Sequence, residues 1–213
     1  MIRVALADDH SIIREGLRQI LAANTAIEIV GEAANGQETI DLVARLAPHI
    51  LVLDLAMPGR SGIELLKQIR EAHPRTAVLV LSMYKENEFA VRAIRAGASG
   101  YLTKECAGSE LLGAIARIVA GKLYISPAVA ECLAQDLQTD GKAPHCRLTD
   151  REYQIFGLLV AGHAVSRIAQ DLDLSVKTVS THKARILEKL QVESTAELVR
   201  YAMANQLFDL DRD

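Results

Sequence analysis

HILVLDLAMPGRSG, residues 49–62, decides how the first half of this chain folds. Ile50, Leu51, Val52 and Leu53 form an unbroken apolar run, and a strand with this character is covered on both faces. The run ends on Asp54 and breaks into a loop containing Pro58 and Gly59. A strand buried on both sides has no use for a carboxylate, so the aspartate belongs to something at the strand's end. Four further β-rich runs flank this one: IRVALA (2–7), IEIVG (27–31), TAVLVLS (76–82) and SGYL (99–102). Between them the spacing turns helical, with stripes of Ile13, Leu17, Ile20 and Leu21, then Ile40, Val43 and Ala47, then Leu65, Leu66 and Ile69. Repeated strand–helix alternation predicts five parallel strands in a doubly wound, flavodoxin-like α/β domain over 1–122, with right-handed crossovers.

Beyond residue 122 the pattern changes. A linker is expected over 123–147; it can hold a helix and closes with the polar stretch QTDGKAPHC. From 148 to 213 there is no strand signal. LTDREYQIFGLLVAG, VSRIAQDL, SVKTVSTHKARILEKL and STAELVRYAMANQL read as four helices, an all-α second domain. Thr149 with Glu152, and Ser194 with Glu197, have the spacing of capping boxes that start two of them.

Half of the 213 residues are hydrophobic and 24% are charged, which suits a protein with a sizeable core. No apolar run approaches the roughly 20 residues that span a bilayer, and no charged-then-apolar leader opens the sequence. Cys106, Cys132 and Cys146 are scattered without metal-ligand spacing, and such thiols suit a reducing cytoplasm. The net charge is −3, so nucleic-acid binding has to rest on local charge and not on a basic domain.

Open parallel sheets collect function beyond the carboxyl ends of their strands. There the first strand delivers Asp8 and Asp9, the third Asp54, the fourth Ser82, and the fifth leads to Lys104. Each has a plain alternative: Asp9 could cap the helix starting near Ser11, and Lys104 could be a solvated charge. Gathered at one edge they form a coherent set. Crowded carboxylates suit Mg²⁺, one of them can attack phosphorus to give an acyl phosphate, and a lysine and a hydroxyl can hold the phosphoryl oxygens.

ADDH, VLDLAMPGRSG, VLVLS and AGASGYLTK resemble the receiver domain of two-component response regulators. The resemblance implies phosphorylation of Asp54 by a sensor histidine kinase. It implies direct Mg²⁺ ligation by Asp9, Asp54 and the Ala56 carbonyl, with Asp8 acting through water or from the second shell. Ser82 and Tyr101 would be the switch pair, and Lys104 the phosphoryl contact. Many receivers carry a proline, often cis, after this lysine. Glu105 stands there instead, and a trans bond is expected. A phosphatase of the haloacid-dehalogenase type is a competing reading, but it needs a second acid where this chain has Ala56.

In the second domain, LDLS joins two helices at helix-turn-helix length. Steps of 100° place Val176, Val179, Ile186, Leu187 and Leu190 on one side of the later helix. Lys177, Ser180, Thr181, Ala184 and Arg185 fall on the other, and the segment 176–190 carries a local charge of +3. An ordinary amphipathic helix with a solvated basic face would look the same. The segment resembles the LuxR-type helix-turn-helix, which implies base-facing Ser180, Thr181 and Ala184, and phosphate contacts from Lys177, Thr178, His182, Lys183 and Arg185. Two departures stand out. Val165-Ser166-Arg167-Ile168-Ala169 replaces the usual Asn-Lys-Glu-Ile-Ala, with Ser166 a substitute cap, and Lys183 sits where the family is apolar. A ligand-sensing LuxR-type activator would share this half, but its aromatic-rich sensor does not suit a chain with no Trp and three Phe.

Together the modules resemble the NarL/FixJ class of response regulators. That resemblance implies a cytoplasmic, phosphorylation-controlled transcription regulator that binds double-stranded promoter DNA. It implies a homodimer when the protein is phosphorylated or on DNA, no membrane partner, and no enzymatic turnover beyond its own phosphotransfer and dephosphorylation. The last helix (194–206), with Leu198, Val199, Ala202 and Met203 on one stripe, is the expected dimer element.

Overall fold

The computed structural model describes residues 1–57, 62–82, 87–139, 143–205 and 207–208. The loop residues 58–61, residues 83–86 and part of the QTDGKAPHC stretch therefore lie outside the described residues. Described residues of 1–85 and 89–130 form one compact unit, and those of 131–213 form another.

The first unit holds β1 (Ile2–Ala7), α1 (Ser11–Ala22), β2 (Ile27–Ala33), α2 (Gly36–Leu46), β3 (Ile50–Asp54), α3 (Gly62–Ala72), β4 (Ala77–Ser82), α4 (Asn87–Arg95), β5 (Gly100–Thr103) and α5 (Ala107–Val119). All strand pairs are parallel, in the order β2-β1-β3-β4-β5. Every residue of β3 is buried, which is what the opening stretch requires of a central strand. Val4, Leu6, Ile50, Val52, Leu79, Leu81 and Leu102 cluster with Leu17 and Leu21 of α1 and Leu111, Ile115 and Ile118 of α5. Because side chains alternate along a strand, Val80, Ser82, Tyr101 and Thr103 face the other way. Right-handed crossovers put α2, α3 and α4 on that side.

Local chemistry sets the boundaries. Asn35 caps α2 by accepting the Glu38 N–H, and α2 ends where Ala47 takes a left-handed φ of 40°. The expected stripe therefore loses Ala47, which is exposed, and gains Leu42, which is buried. β2 runs two residues further than its apolar stretch, because pairing with β1 continues to Ala7↔Ala33.

The 123–147 segment contains a helix, α6 (Pro127–Thr139), and a 3-10 turn, Pro144–Arg147. Four helices follow: α7 (Asp150–Val160), α8 (Val165–Asp171), α9 (Val176–Leu190) and α10 (Thr195–Ala204). Thr149 and Glu152 complete a reciprocal capping box on α7. Ser194 caps α10, but the Glu197 carboxylate reaches back to the Glu193 N–H. Ser166 does not replace the missing asparagine of α8, whose N-cap is Ala164 without a side-chain bond. The α8–α9 turn contains no glycine; Asp173 supplies the left-handed residue at φ 51°, a conformation aspartate tolerates better than most side chains. Phe208, unremarked in the sequence, packs edge-on against Phe156 with ring centroids 4.8 Å apart and closes the core beside Gly157.

Candidate functional site

The C-terminal ends of β1, β3 and β5 bring together residues about 50 positions apart in the chain. Asp8 and Asp54 are both 1% exposed. The Lys104 ammonium lies between them, 2.6 Å from Asp8 Oδ2 and 2.7 Å from Asp54 Oδ2. Only the Asp54 contact has the angles of a hydrogen bond, so Asp8 Oδ2 is buried beside a cation with no directed donor. Burial pushes the Asp54 carboxyl above its ordinary range, against the pull of Lys104 and of the Ala56 N–H, which donates to Asp54 Oδ1 at 2.9 Å. Burial works to lower the Lys104 pKa, but the Asp54 and Asp8 carboxylates outweigh it and hold the ammonium above its ordinary range.

Asp9 is exposed at the pocket's mouth. Ser82, fully buried, pairs with Thr103 across β4 and β5, and its carbonyl accepts the Lys104 N–H at 2.8 Å. Tyr101, on the same face of the sheet as Ser82, is 5% exposed. The Lys104–Glu105 bond is trans.

Two neighbours escaped the sequence reading. The His10 ring Nδ1 stands 2.9 Å from Asp9 Oδ1 and 3.2 Å from Asp8 Oδ1. Arg14 donates to the Asp8 carbonyl at 2.6 Å and to Glu32 at 3.1 Å, pinning the end of β1. Position 10, next to the paired aspartates, could have signalled the first; nothing local signals the second. One ligand atom each from Asp8, Asp9, His10 and Asp54 lies within 4.8 Å of the others. This oxygen-rich set, with a buried carboxylate oxygen lacking a directed donor, fits a hard divalent cation such as Mg²⁺.

In the second unit, α9 presents Lys177, Ser180, Thr181, Ala184 and Arg185 to the exterior. Its first turn is fixed by Ser175, whose Oγ accepts the Thr178 N–H at 3.0 Å. Thr178 is half-buried, its hydroxyl 2.7 Å from Ser175 Oγ. The Thr181 hydroxyl donates to the Lys177 carbonyl. On the inner side Val179, Ile186 and Leu190 are buried and Leu187 is half-buried, whereas Val176 is 53% exposed: a first-turn residue projects past the neighbouring helices.

Lys183 is half-buried. His182, expected among the outward contacts, is half-buried with Nδ1 enclosed. Burial lowers its pKa, Glu152 opposes this, and Arg151, Arg185 and Lys189 add to it. Behind α9, the Lys189 ammonium pairs with Glu152, which is 2% exposed, and also donates to the Arg147 carbonyl. Burial pushes the Glu152 carboxyl up, but Lys189 and the Thr149 N–H outweigh it and leave the pKa low. The recognition-type helix is thus tied to the cap of α7. In α10, Leu198 and Ala202 are wholly buried and Met203 is 58% exposed, so half of the expected dimer stripe belongs to the unit's own core.

Comparison with known proteins places both regions. The family "Response regulator receiver domain" matches residues 4–116, and "Bacterial regulatory proteins, luxR family" matches 147–202. Response regulator GacA of Pseudomonas protegens is 36% identical over 98% of this chain and 99% of its own length. Oxygen regulatory protein NreC of Staphylococcus carnosus is 34% identical over 98% of this chain and 100% of its own. Among solved structures, RcsB from Salmonella typhimurium aligns with a TM-score of 0.72 at 29% identity, covering 95% of this chain and 97% of that one. RcsB bound to promoter P1flhDC in the presence of phosphomimetic BeF3⁻ aligns at 0.67, also at 29% identity, covering 95% of this chain and 98% of that one.

Proposed function

The chain belongs to the NarL/FixJ-class response regulators, which join a receiver domain to a LuxR-type DNA-binding domain, and from that membership we propose that Asp54 accepts a phosphoryl group from a sensor histidine kinase and thereby controls dimerisation and promoter binding. As a transcription regulator it is not an enzyme of the turnover kind. The proposed division is a receiver over 1–122, a linker over 123–147 and the DNA-binding domain over 148–213. Among the described residues no helix is long and apolar enough to cross a membrane, and the proposed location is the cytoplasm.

The carrying observation is the buried Lys104 ammonium, held within 2.7 Å of two carboxylates from remote strands. It offsets part of the penalty that burial places on ionised Asp54, whose carboxyl still lies above its ordinary range, and so favours the carboxylate required as nucleophile. In the transfer, an Asp54 oxygen forms its bond to phosphorus as the bond from the kinase's histidine nitrogen breaks. Asp9, Asp54 and the Ala56 carbonyl would hold Mg²⁺, with Asp8 acting through water or from the second shell; the ion would supply charge neutralisation for the oxygens involved. The product brings close to two negative charges to the pocket. Lys104 is already in place to contact them, Ser82 supplies its hydroxyl, and Tyr101 shares its face of the sheet. A pre-existing two-state equilibrium shifts accordingly.

On DNA, Ser180, Thr181 and Ala184 of α9 would face base edges, with Lys177, Thr178, Lys183 and Arg185 toward phosphates. His182, half-buried like Thr178 and Lys183, stays with them among the proposed phosphate contacts. Met203, and with it Val199, remains for pairing two DNA-binding domains. The test is the DNA affinity of wild type and Asp54→Ala, each with and without acetyl phosphate, on fragments selected by the phosphorylated protein. The expectation is tighter binding by phosphorylated wild type alone; equal affinity in all four conditions refutes the reading.

A further inference from the structure

β5 is the edge strand of the receiver sheet, but its edge is not left open. After α5 the chain turns at Gly121, φ 73°, and runs back beside β5. Tyr124 forms a parallel bridge with Gly100: the Tyr101 N–H donates to the Tyr124 carbonyl at 2.9 Å, and the Tyr124 N–H donates to the Ser99 carbonyl at 3.1 Å. The linker's second residue therefore extends the sheet at the residue next to the switch position.

Four other features mark this as a built seat. A Cβ on Gly100 would stand only 3.0 Å from the Tyr124 carbonyl oxygen, so glycine is what lets the linker backbone come this close. The Tyr124 hydroxyl donates to Glu110 Oε2 at 2.7 Å, and its ring lies under Arg117, whose guanidinium carbon is 5.8 Å from the centroid. Burial and the Glu110 bond push the phenol up to about 12, so it stays a donor at any physiological pH. Two residues further on, Ser126 Oγ accepts the Val129 N–H and organises the first turn of α6. A cavity of about 630 Å³ beside the seat, lined by Tyr101, Thr103, Cys106, Tyr124 and Val129 among others, leaves room for the strand and linker to shift together.

At its other end β5 leads directly to Lys104, which holds the two buried carboxylates. We propose that Tyr124 is a positioning residue that couples the switch strand to the linker: its side chain, held by Glu110 and Arg117, keeps its backbone seated on β5, so that a displacement of β5 at Tyr101 is passed to α6 through two backbone hydrogen bonds. This rests on the phosphorylation reading above and adds its route out of the receiver. Without the seat, β5 would still respond to the pocket, but a single-chain connection through α5 and Gly121 would carry little of that response into α6.

The test uses the full chain and amide hydrogen exchange, with and without Mg²⁺ and beryllofluoride as the phosphoryl mimic. In wild type the mimic should change exchange both in β5 (100–104) and in the first turns of α6 (127–134). In Tyr124→Ala the β5 change should persist and the α6 change be lost. Tyr124→Phe, which keeps ring and backbone but not the Glu110 bond, should retain most of it. Gly100→Ala, whose Cβ would press on the Tyr124 carbonyl and also on the flexible ends of Leu79 and Ile118, should reproduce the loss and serves if Tyr124→Ala does not fold. A merely structural role for Tyr124 would alter basal exchange and leave the mimic-dependent change intact. An α6 response of wild-type size in Tyr124→Ala or Gly100→Ala, or none in wild type while β5 responds, overturns the coupling. No response in wild-type β5 overturns the phosphorylation reading itself, and the coupling with it.

Discussion

Replacing Lys104 with methionine tests the electrostatics on which the receiver pocket depends. The substitution preserves most of the volume and removes one charge from a site where Asp8, Asp54 and Lys104 side chains are 2%, 0% and 5% exposed. At an effective dielectric near 20, each contact of this length is worth about 6 kcal/mol of gross attraction. Most of that offsets desolvation, and removing one partner of a buried pair costs about 3–5 kcal/mol because the remaining charges are left uncompensated. Lys104→Met should therefore lose about 4 kcal/mol of receiver stability at pH 8 in chelator, a large share of the roughly 5–15 kcal/mol of an ordinary domain.

The pH dependence has a definite sign. The Asp54 carboxyl already lies above its ordinary range, and losing Lys104 raises it further. The native variant then binds a proton more tightly than the unfolded chain, so the deficit is full above the raised pKa and narrows as pH falls through it. Mg²⁺ should bind the variant more tightly because no ammonium competes, and so should also narrow the deficit, by the difference between the two proteins' linkage gains, each about 2.7 kcal/mol at a hundredfold excess over its own Kd. Exchange of the slowest amides in β1, β3 and β4 isolates the receiver's own unfolding. A variant as stable as wild type at pH 8 in chelator, or a deficit indifferent to both Mg²⁺ and pH, would refute the reasoning.

Three further outcomes are expected. A Cβ at Gly62 would overlap the Leu55 backbone, so Gly62→Ala should destabilise the receiver by about 2–3 kcal/mol or more, read by urea denaturation. Glu152→Gln should cost the second unit about 1–2 kcal/mol at neutral pH, discounted for the partly exposed Lys189. Because the Glu152 pKa is depressed, that contribution is present above the ordinary carboxylate pKa and lost as pH falls through the folded value; melts at about pH 6 and about pH 3 should show wild type and variant converging. Lys177→Ala and Arg185→Ala should each reduce the slope of log affinity against log salt by about 1, measured by fluorescence anisotropy on a selected DNA fragment.

Much of the pocket was legible because a parallel sheet sends every strand's carboxyl end to one edge. Asp8, Asp54, Ser82 and Lys104 could be assigned there from strand order alone, and the folded chain brings them to that edge. Their neighbours were harder to see. Arg14 reaches the Asp8 carbonyl from a helix, and Tyr124 reaches Gly100 from a linker that reads as a spacer; neither contact has a period or motif. In the second unit, helical spacing sorted Lys177, Ser180 and Arg185 from Val179, Ile186 and Leu190. It misplaced Val176, which is 53% exposed.

By itself the sequence determined the order of strands and helices, the doubly wound class, the strand ends that would meet and the outward face of α9. Those follow from alternation, helical period and capping residues, all of which act within a few positions of the chain. Only the tertiary structure decided how deeply Asp54 is buried, which oxygens Lys104 touches, that Glu152 ties α9 to the cap of α7, and that the linker joins the sheet. Each of these depends on groups far apart in sequence coming within about 3 Å, and short-range forces act between such groups only once the chain has folded.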